Sequence, residues 1–397
     1  LNNVNKNEAA RNYLNQINEN VSVEEGIKAI ENILLNVYFK EGISNKELAR
    51  NNVLPIPIVT AIKKEFIKCG LLLQDSGVRL TPKGKDYIEG ELGFNGLNQN
   101  LYNKLLLDPW KEWEEILEIK KLLSEIFVNR PPADVTIDQS KCTLDTAVRR
   151  AILCLKHSEL IGKKILCVGD DDLVSVALGF LLKKLFGDMS LCKTKIHVMD
   201  IDKRILVYIS NVTKEEGLPI NCEYKDFRQP LPKDSKAQFD CFFTDPPYTL
   251  QGMNLFLSRG VEALKSGSGH PIFLSYAHKS PNFDLDMQKN FMKKNLVVSE
   301  ILNTFNTYEG AGIIGNIGQM IILKTTSTSK TSMETFHTGP IYTGELNKTL
   351  RSYSCKECGE IIKVGILEKF KTIEELKGKG CSKCQSQTFQ LIEKNRV

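Results

Sequence analysis

Ile165-Leu166-Cys167-Val168-Gly169-Asp170-Asp171-Asp172 is the stretch on which the fold turns. A short apolar run stops at a glycine, and an apolar-faced helix is predicted to follow from Asp172 to Phe186. The same texture continues downstream. Ile196–Met199 ends in Asp200-Ile201-Asp202, and Ile220–Tyr224 ends near Asp226. Phe239–Phe243 ends in Thr244-Asp245-Pro246-Pro247-Tyr248, and Ile272–Tyr276, Val297–Leu302 and Met320–Leu323 complete seven strands. Strand–helix alternation of this kind predicts an α/β, doubly wound parallel sheet over residues 136–330.

Upstream, residues 1–100 read as a winged-helix-like unit. Val23 to Tyr38 has apolar residues at helical spacing, and Ser44 with Glu47 forms a capping box. Pro57 opens a second helix that Gly70 ends, and Asp75-Ser76-Gly77 turns a small hairpin. Thr60, Lys63, Lys64 and Lys68 face outward on that helix, yet Arg79 is the only base of the wing. DNA binding is therefore the weaker expectation, behind a dimerisation or lid role. Residues 101–135 hold a connecting helix, Trp110 to Phe127, capped by Asp108-Pro109. Downstream, Thr325 to Thr335 reads as a Ser/Thr-rich linker opening a C-terminal segment, 331–397.

Composition excludes several classes. Of 397 residues, 42% are hydrophobic and 25% charged, which is neither a disordered nor a fibrous mix. Lys and Arg total 53 against 48 Asp and Glu, and a net charge of +5 does not suit a nucleic-acid coat or a membrane-surface protein. No apolar run is long enough to span a bilayer and no leader precedes the first helix, so a cytoplasmic location is expected. Seven of the eleven cysteines are scattered, mostly in apolar stretches. The other four, Cys355, Cys358, Cys381 and Cys384, make two Cys-x-x-Cys knuckles with 22 residues between them. Two such knuckles close a tetrahedral structural site, a zinc-ribbon-like arrangement holding zinc, or iron in its place.

The chemistry sits at the strand ends, which look like a nucleoside-binding, class I methyltransferase-like fold. Asp200 is placed for ribose hydroxyls and Asp226 for the adenine amino group. Gly169-Asp170-Asp171-Asp172 is abnormal for a methyltransferase, whose glycine-rich loop would hold the carboxylate of S-adenosylmethionine. Aspartates repel that carboxylate by about 1 kcal/mol per close pair even at water-like dielectric. The ligand is expected to be cationic there, as decarboxylated S-adenosylmethionine is. Asp172 reads as the cap of the following helix, which leaves Asp171 unexplained. Asp245-Pro246-Pro247-Tyr248 resembles the motif with which amino-methyltransferases hold an amino nitrogen between an Asp, a Pro carbonyl and a Tyr ring.

Arg130-Pro131 through Asp138-Gln139, Gly169 to Asp172, and Asp245-Pro246-Pro247-Tyr248-Thr249 together resemble the branched-chain polyamine synthases, N4-bis(aminopropyl)spermidine synthases. The resemblance spans about residues 20–345, and the Cys₄ segment is an addition to it. It implies aminopropyl transfer from decarboxylated S-adenosylmethionine to the secondary amine of spermidine, twice, by a homodimeric enzyme, releasing 5′-methylthioadenosine. Within that reading Gly169, Asp170, Asp172, Asp200 and Asp226 bind the donor. Asp171 is the expected general base, because an alkylamine of pKa ~10 must lose a proton before or as it attacks. Asp245 is the second candidate base or the group that orients the amine, with Pro246 and Tyr248 beside it. Glu309, in Tyr308-Glu309-Gly310-Ala311-Gly312, is a candidate contact for a distal ammonium. The competing readings are a DNA or RNA amino-methyltransferase acting on a flipped base, and a regulator with a degenerate nucleoside fold.

Overall fold

A computed structural model describes residues 13–75, 77–309, 315–329, 336–346, 349–365 and 368–396. Among the early helices are α1 (Ile27–Phe39), α2 (Asn45–Asn52) and α3 (Ile56–Lys68). A two-stranded hairpin follows, β1 (Leu72–Gln74) and β2 (Val78–Leu80), in the order expected. Half of the expected capping box forms: Ser44 Oγ accepts the Glu47 N–H at 3.1 Å, while the Glu47 carboxylate turns to Lys40. The connecting region holds two helices, α4 (Gln99–Leu107) and α5 (Glu114–Val128). The second starts four residues later than predicted, because Trp113 Nε1 folds back on the Asp108 carbonyl and holds a turn there.

The sheet has eight strands, not seven. They are β3 (Lys141–Cys142), β4 (Lys164–Val168), β5 (Lys195–Asp200), β6 (Ile220–Tyr224), β7 (Cys241–Thr244), β8 (Pro271–Ala277), β9 (Leu296–Glu309) and β10 (Ile317–Thr325), ordered β3-β9-β10-β8-β7-β4-β5-β6. β4 to β8 are parallel, but β10 runs antiparallel to both β8 and β9, and β3 antiparallel to β9. The α/β class holds, and the all-parallel expectation is corrected to a mixed sheet. β9 and β10 are joined through a short connection, which only an antiparallel pair can use.

Both faces of the sheet are apolar, and the alternation is strict. Ile165, Cys167, Cys241 and Phe243 point into one core with α6 (Leu144–Lys156), α7 (Val174–Leu185) and α8 (Lys203–Glu216). Leu166, Val168 and Phe242 point into another with α9 (Leu250–Ala263) and α10 (Pro281–Lys293). Ile30, Ile33, Leu34 and Val37 of α1 belong to the first core. The first hundred residues thus share packing with the sheet. Gly162 marks the contact: at φ +68° its missing Cβ leaves room for the Leu92 carbonyl, which a side chain would meet at 2.0 Å.

At the C-terminus, β11 (Thr349–Cys355), β12 (Ile361–Val364) and β13 (Phe389–Arg396) form a separate three-stranded sheet. Its small core is Val364, Phe370 and Leu376, the last from α11 (Ile373–Lys379). The predicted linker lies partly outside the described residues. No helix among the described residues is long and apolar enough to cross a membrane.

Candidate active site

The strand order reverses between β4 and β7, and a crevice opens at the carboxyl ends of the strands there. The cleft is open to solvent, with about 630 Å³ of space between its walls when that solvent is included. Gly169, Asp171, Asp200, Asp226, Asp245 and Tyr248 all line it. Four separate strand ends bring these residues together, as the alternation predicted.

The loop after β4 divides its three acids among different tasks. Gly169, at φ +77°, turns the chain and donates its N–H to the Met199 carbonyl. Asp170 is buried and accepts the Val174 and Ser175 N–H groups at 2.7 and 3.2 Å. It caps α7, the role expected of Asp172. The displacement has a local cause: Leu173 takes a left-handed φ of 56°, so the helix starts at Val174. Asp172 instead lies against Arg150 Nη1 at 2.6 Å and accepts the Cys142 N–H. Asp170 and Asp172 therefore spend their carboxylates on the fold and line a smaller adjoining recess, not the main cleft. Asp171 is the acid left facing the cleft. It accepts the Ser140 N–H at 3.2 Å, and no cationic side chain pairs with it among the described residues.

The electrostatics follow. Burial, with the charges of Asp172, Asp200 and Asp245 adding, pushes Asp171 well above the usual carboxylate range. Burial pushes Asp170 up to about 8 and Asp200 up to about 6. Asp245 is raised to about 7 by burial and by Asp172, although Arg150 and Tyr308 pull the other way. Arg150 Nη2 reaches Asp245 Oδ2 at 3.0 Å, and the Tyr308 hydroxyl donates to the same oxygen at 2.6 Å. Asp200 already accepts the Asp170 and Asp202 N–H groups, and Asp226 accepts that of Arg228. In the Asp-Pro-Pro-Tyr segment, Pro247 and Tyr248 line the cleft while Pro246 is buried outside the lining. The Pro247 carbonyl accepts the Thr249 N–H. Glu309 is exposed at the end of β9, 3.3 Å from Arg130 Nη2, and is not among the cleft-lining residues. Gly310, Ala311 and Gly312 lie outside the described residues.

The four knuckle cysteines also converge. Cys355 and Cys384 sulfurs are 3.5 Å apart, Cys358 and Cys381 sulfurs 3.6 Å, and all four lie within 4.8 Å. Tetrahedral thiolates at a Zn–S distance of 2.3 Å would be about 3.8 Å apart, so the set fits such an ion. Backbone N–H groups at Cys358 and Glu357 hold the Cys355 thiol down to about 6, on the thiolate side of neutrality.

The model of the branched-chain polyamine synthase A C-terminal domain matches residues 118–356. The chain belongs to this family. An uncharacterized protein of Methanocaldococcus jannaschii is 35% identical over 97% of this chain and 93% of its own length. The N(4)-bis(aminopropyl)spermidine synthase of the same archaeon is 29% identical over 65% of this chain and 71% of its own. The enzyme of that name from Thermococcus kodakarensis is 27% identical over 77% and 84%. The crystal structure of the branched-chain polyamine synthase from Thermus thermophilus, in complex with N4-aminopropylspermidine and 5′-methylthioadenosine, shares the fold at a TM-score of 0.51. It is 21% identical over 85% of this chain and 98% of that one.

In this member of the branched-chain polyamine synthase family, sequence reading passed over three parts of the site. The first is Arg150, fully buried on α6. Its neighbours one turn away, Ala147 and Cys154, are buried too, and an arginine on an apolar helix face signals a buried acid elsewhere. The second is the loop ahead of β3, whose Asp138-Gln139 carried the resemblance but no site role, and where Ile137, Asp138, Gln139 and Ser140 form one wall. The third is a strap, residues 336–346, that places Ile341 and Tyr342 over the cleft. Thr249 Oγ1 donates to the Ile341 carbonyl, the Thr343 N–H to Asp138, and Arg228 pairs with Glu345 at 2.6 Å. Its composition carried no signal beyond two aromatic residues in a stretch read as the approach to the Cys₄ unit.

Proposed function

We propose that the chain is a polyamine aminopropyltransferase, moving the aminopropyl group of decarboxylated S-adenosylmethionine to the secondary amine of spermidine. A second transfer to the same nitrogen gives N4-bis(aminopropyl)spermidine, and each transfer releases 5′-methylthioadenosine. The observation that carries this is the β4 loop: it offers the cleft the Asp171 carboxylate, where a methyltransferase loop would receive an anion.

The amine lone pair attacks the methylene carbon on sulfur. The C–S bond breaks, and its electron pair stays on sulfur as a neutral thioether. In the first transfer the secondary ammonium must lose a proton to become a nucleophile, and the new tertiary centre sheds its second proton. In the second transfer the tertiary amine must be deprotonated beforehand, and its attack leaves a quaternary nitrogen with no proton to lose. Asp171 serves as acceptor: its raised proton affinity brings it toward that of the amine, and it has no cation to lose. Asp245, tethered by Arg150 and Tyr308, orients the amine with Tyr248. Asp200 and Asp226 take the ribose hydroxyls and the adenine amino group, with the Phe227 and Phe256 rings beside them. The Cys₄ unit holds a structural zinc, or iron, and is read as zinc-ribbon-like. The N-terminal helices and hairpin are read as winged-helix-like, with packing rather than DNA as their task. Lys63 is engaged with Gln74 and Lys68 with Glu65.

The test is mass spectrometry of spermidine incubated with decarboxylated S-adenosylmethionine and the protein. N4-aminopropylspermidine followed by the bis product, with one methylthioadenosine per transfer, is expected. Methyl transfer from S-adenosylmethionine to nucleic acid, with no aminopropyl product, would overturn the reading.

A further inference from the structure

Lys279 lies between β8 and α10, against the cleft-lining Tyr248 but not itself among the lining residues. Its Nζ stands 5.5 Å from the Tyr248 ring centre, 5.4 Å from that of Phe283 and 6.0 Å from that of Tyr276. The rings are packed on each other, Tyr248 edge-on to Tyr276 at 5.2 Å and Tyr276 stacked with Phe283 at 6.0 Å. Nζ makes no hydrogen bond or ion pair with any described residue. The nearby acid is Asp138, whose charge favours the ammonium against its burial. Asp138 is anchored to the strap through the Thr343 N–H at 2.7 Å. Asp138 and Tyr248 both line the cleft.

Three aromatic faces around a cation are a recurring way to bind alkylammonium ligands. Here the protein fills such a cage with its own ammonium, at the edge of a site for a polycation. We propose that Lys279 is a built-in cation that limits the length of linear amine the cleft accepts. The inference rests on the aminopropyltransferase reading and deepens it. An acceptor whose nitrogen sits by Asp171 and Asp245 runs an arm along Tyr248 toward Asp138. An arm that stops there ends its ammonium beside a carboxylate. One longer by an aminopropyl unit brings a second ammonium against Lys279, behind a wall of rings that screens poorly. Branches added at the attacking nitrogen do not lengthen that arm, so the same cation permits branching and rejects linear extension.

The measurement is kcat/KM for spermidine and for spermine, the linear tetraamine one aminopropyl unit longer. It is made on the full chain and on Lys279→Met and Lys279→Arg. Lys279→Met should raise the spermine-to-spermidine ratio by about tenfold or more, mainly through the KM for spermine, the scale of one lost close charge contact. Lys279→Arg keeps the cation and should keep the ratio. Lys279→Gln asks the same question with a polar side chain, should the Met variant not fold. A ratio that neither neutral variant moves, or that Arg relaxes as much as Met, overturns the gate and leaves the transferase reading standing. A wild-type chain that aminopropylates neither amine overturns both.

Discussion

Asp240 and Asp245 stand at the two ends of β7 and behave as opposite acids. Asp240, at the amino end, takes the Lys164 N–H at 2.8 Å and pairs with Lys265, with Lys163 and Lys28 close by. Burial alone would raise it, but the three ammonium groups win and hold it down to about 2. Asp245, equally removed from water, has one arginine to share with Asp172, and it rises to about 7. One edge of the sheet is saturated with cations and the other is left short of them. The deficit is what a polyamine and a sulfonium can fill.

The comparison breaks most visibly at Asp171, the acid of the β4 loop that faces the cleft with no cation of its own. Asp171→Asn should lower aminopropyl turnover by about 10²-fold or more, the scale of a lost general base. Raising the pH should restore part of it, because more amine then arrives unprotonated, while calorimetry should show methylthioadenosine affinity nearly unchanged. Should Asp171→Asn turn over normally and Asp245→Asn be inactive yet rescued by pH, the base is Asp245.

Stability sharpens the contrast between the two strand ends. Asp240→Asn strands buried ammonium groups and should cost about 3 kcal/mol in urea unfolding, as breaking a buried pair does. Asp245→Asn removes a carboxylate that the fold already disfavours, and at pH 8 it should cost less than about 1 kcal/mol or stabilise. Equal losses would mean that the two ends are electrostatically alike.

A smaller effect is expected with pH. A carboxyl whose folded pKa is raised contributes stability below its unfolded value of about 4, and loses it as pH rises through the folded value. For Asp245 and Asp170 that loss accumulates from about pH 4 and is complete near 7 and 8. His157 and His270, held down to about 4 by burial, are neutral above pH 6.5 and do not oppose it. The melting temperature of the ligand-free chain should therefore fall between pH 6.5 and 8. The upward shift on adding decarboxylated S-adenosylmethionine should grow over the same window. A flat or rising profile would show that the cleft acids are already neutralised. The least effect on chemistry is expected from Cys355→Ser with Cys358→Ser. Bound metal and the protection of the C-terminal sheet from proteolysis should be lost, with transfer nearly unchanged. A folded, metal-free variant that binds ligand and does not turn over would give the metal a catalytic part.

The legible part of the site was local. Asp200 and Asp245 each end an apolar run, and Asp226 follows an alternating one, and such a pattern announces its own end. The division of labour in the β4 loop was not legible. A shift of two residues in the helix start moved the cap from Asp172 to Asp170. Arg150 is 95 residues from Asp245, and Ile341 is 92 from Thr249. No periodicity reports contacts at such separations. Strand direction left no mark either, since β10 is as apolar as a parallel strand would be.

The sequence by itself determined the alternation of strands and helices, the acids at the strand ends and the pairing of four cysteines. Each of these is written in spacing along the chain, which backbone geometry converts directly into faces and ends. Only the tertiary structure decided which acid keeps a cation and which faces the cleft bare. The proton affinity of a buried group is a sum over charges near it in space, and in a poorly screening interior those charges come from anywhere in the chain.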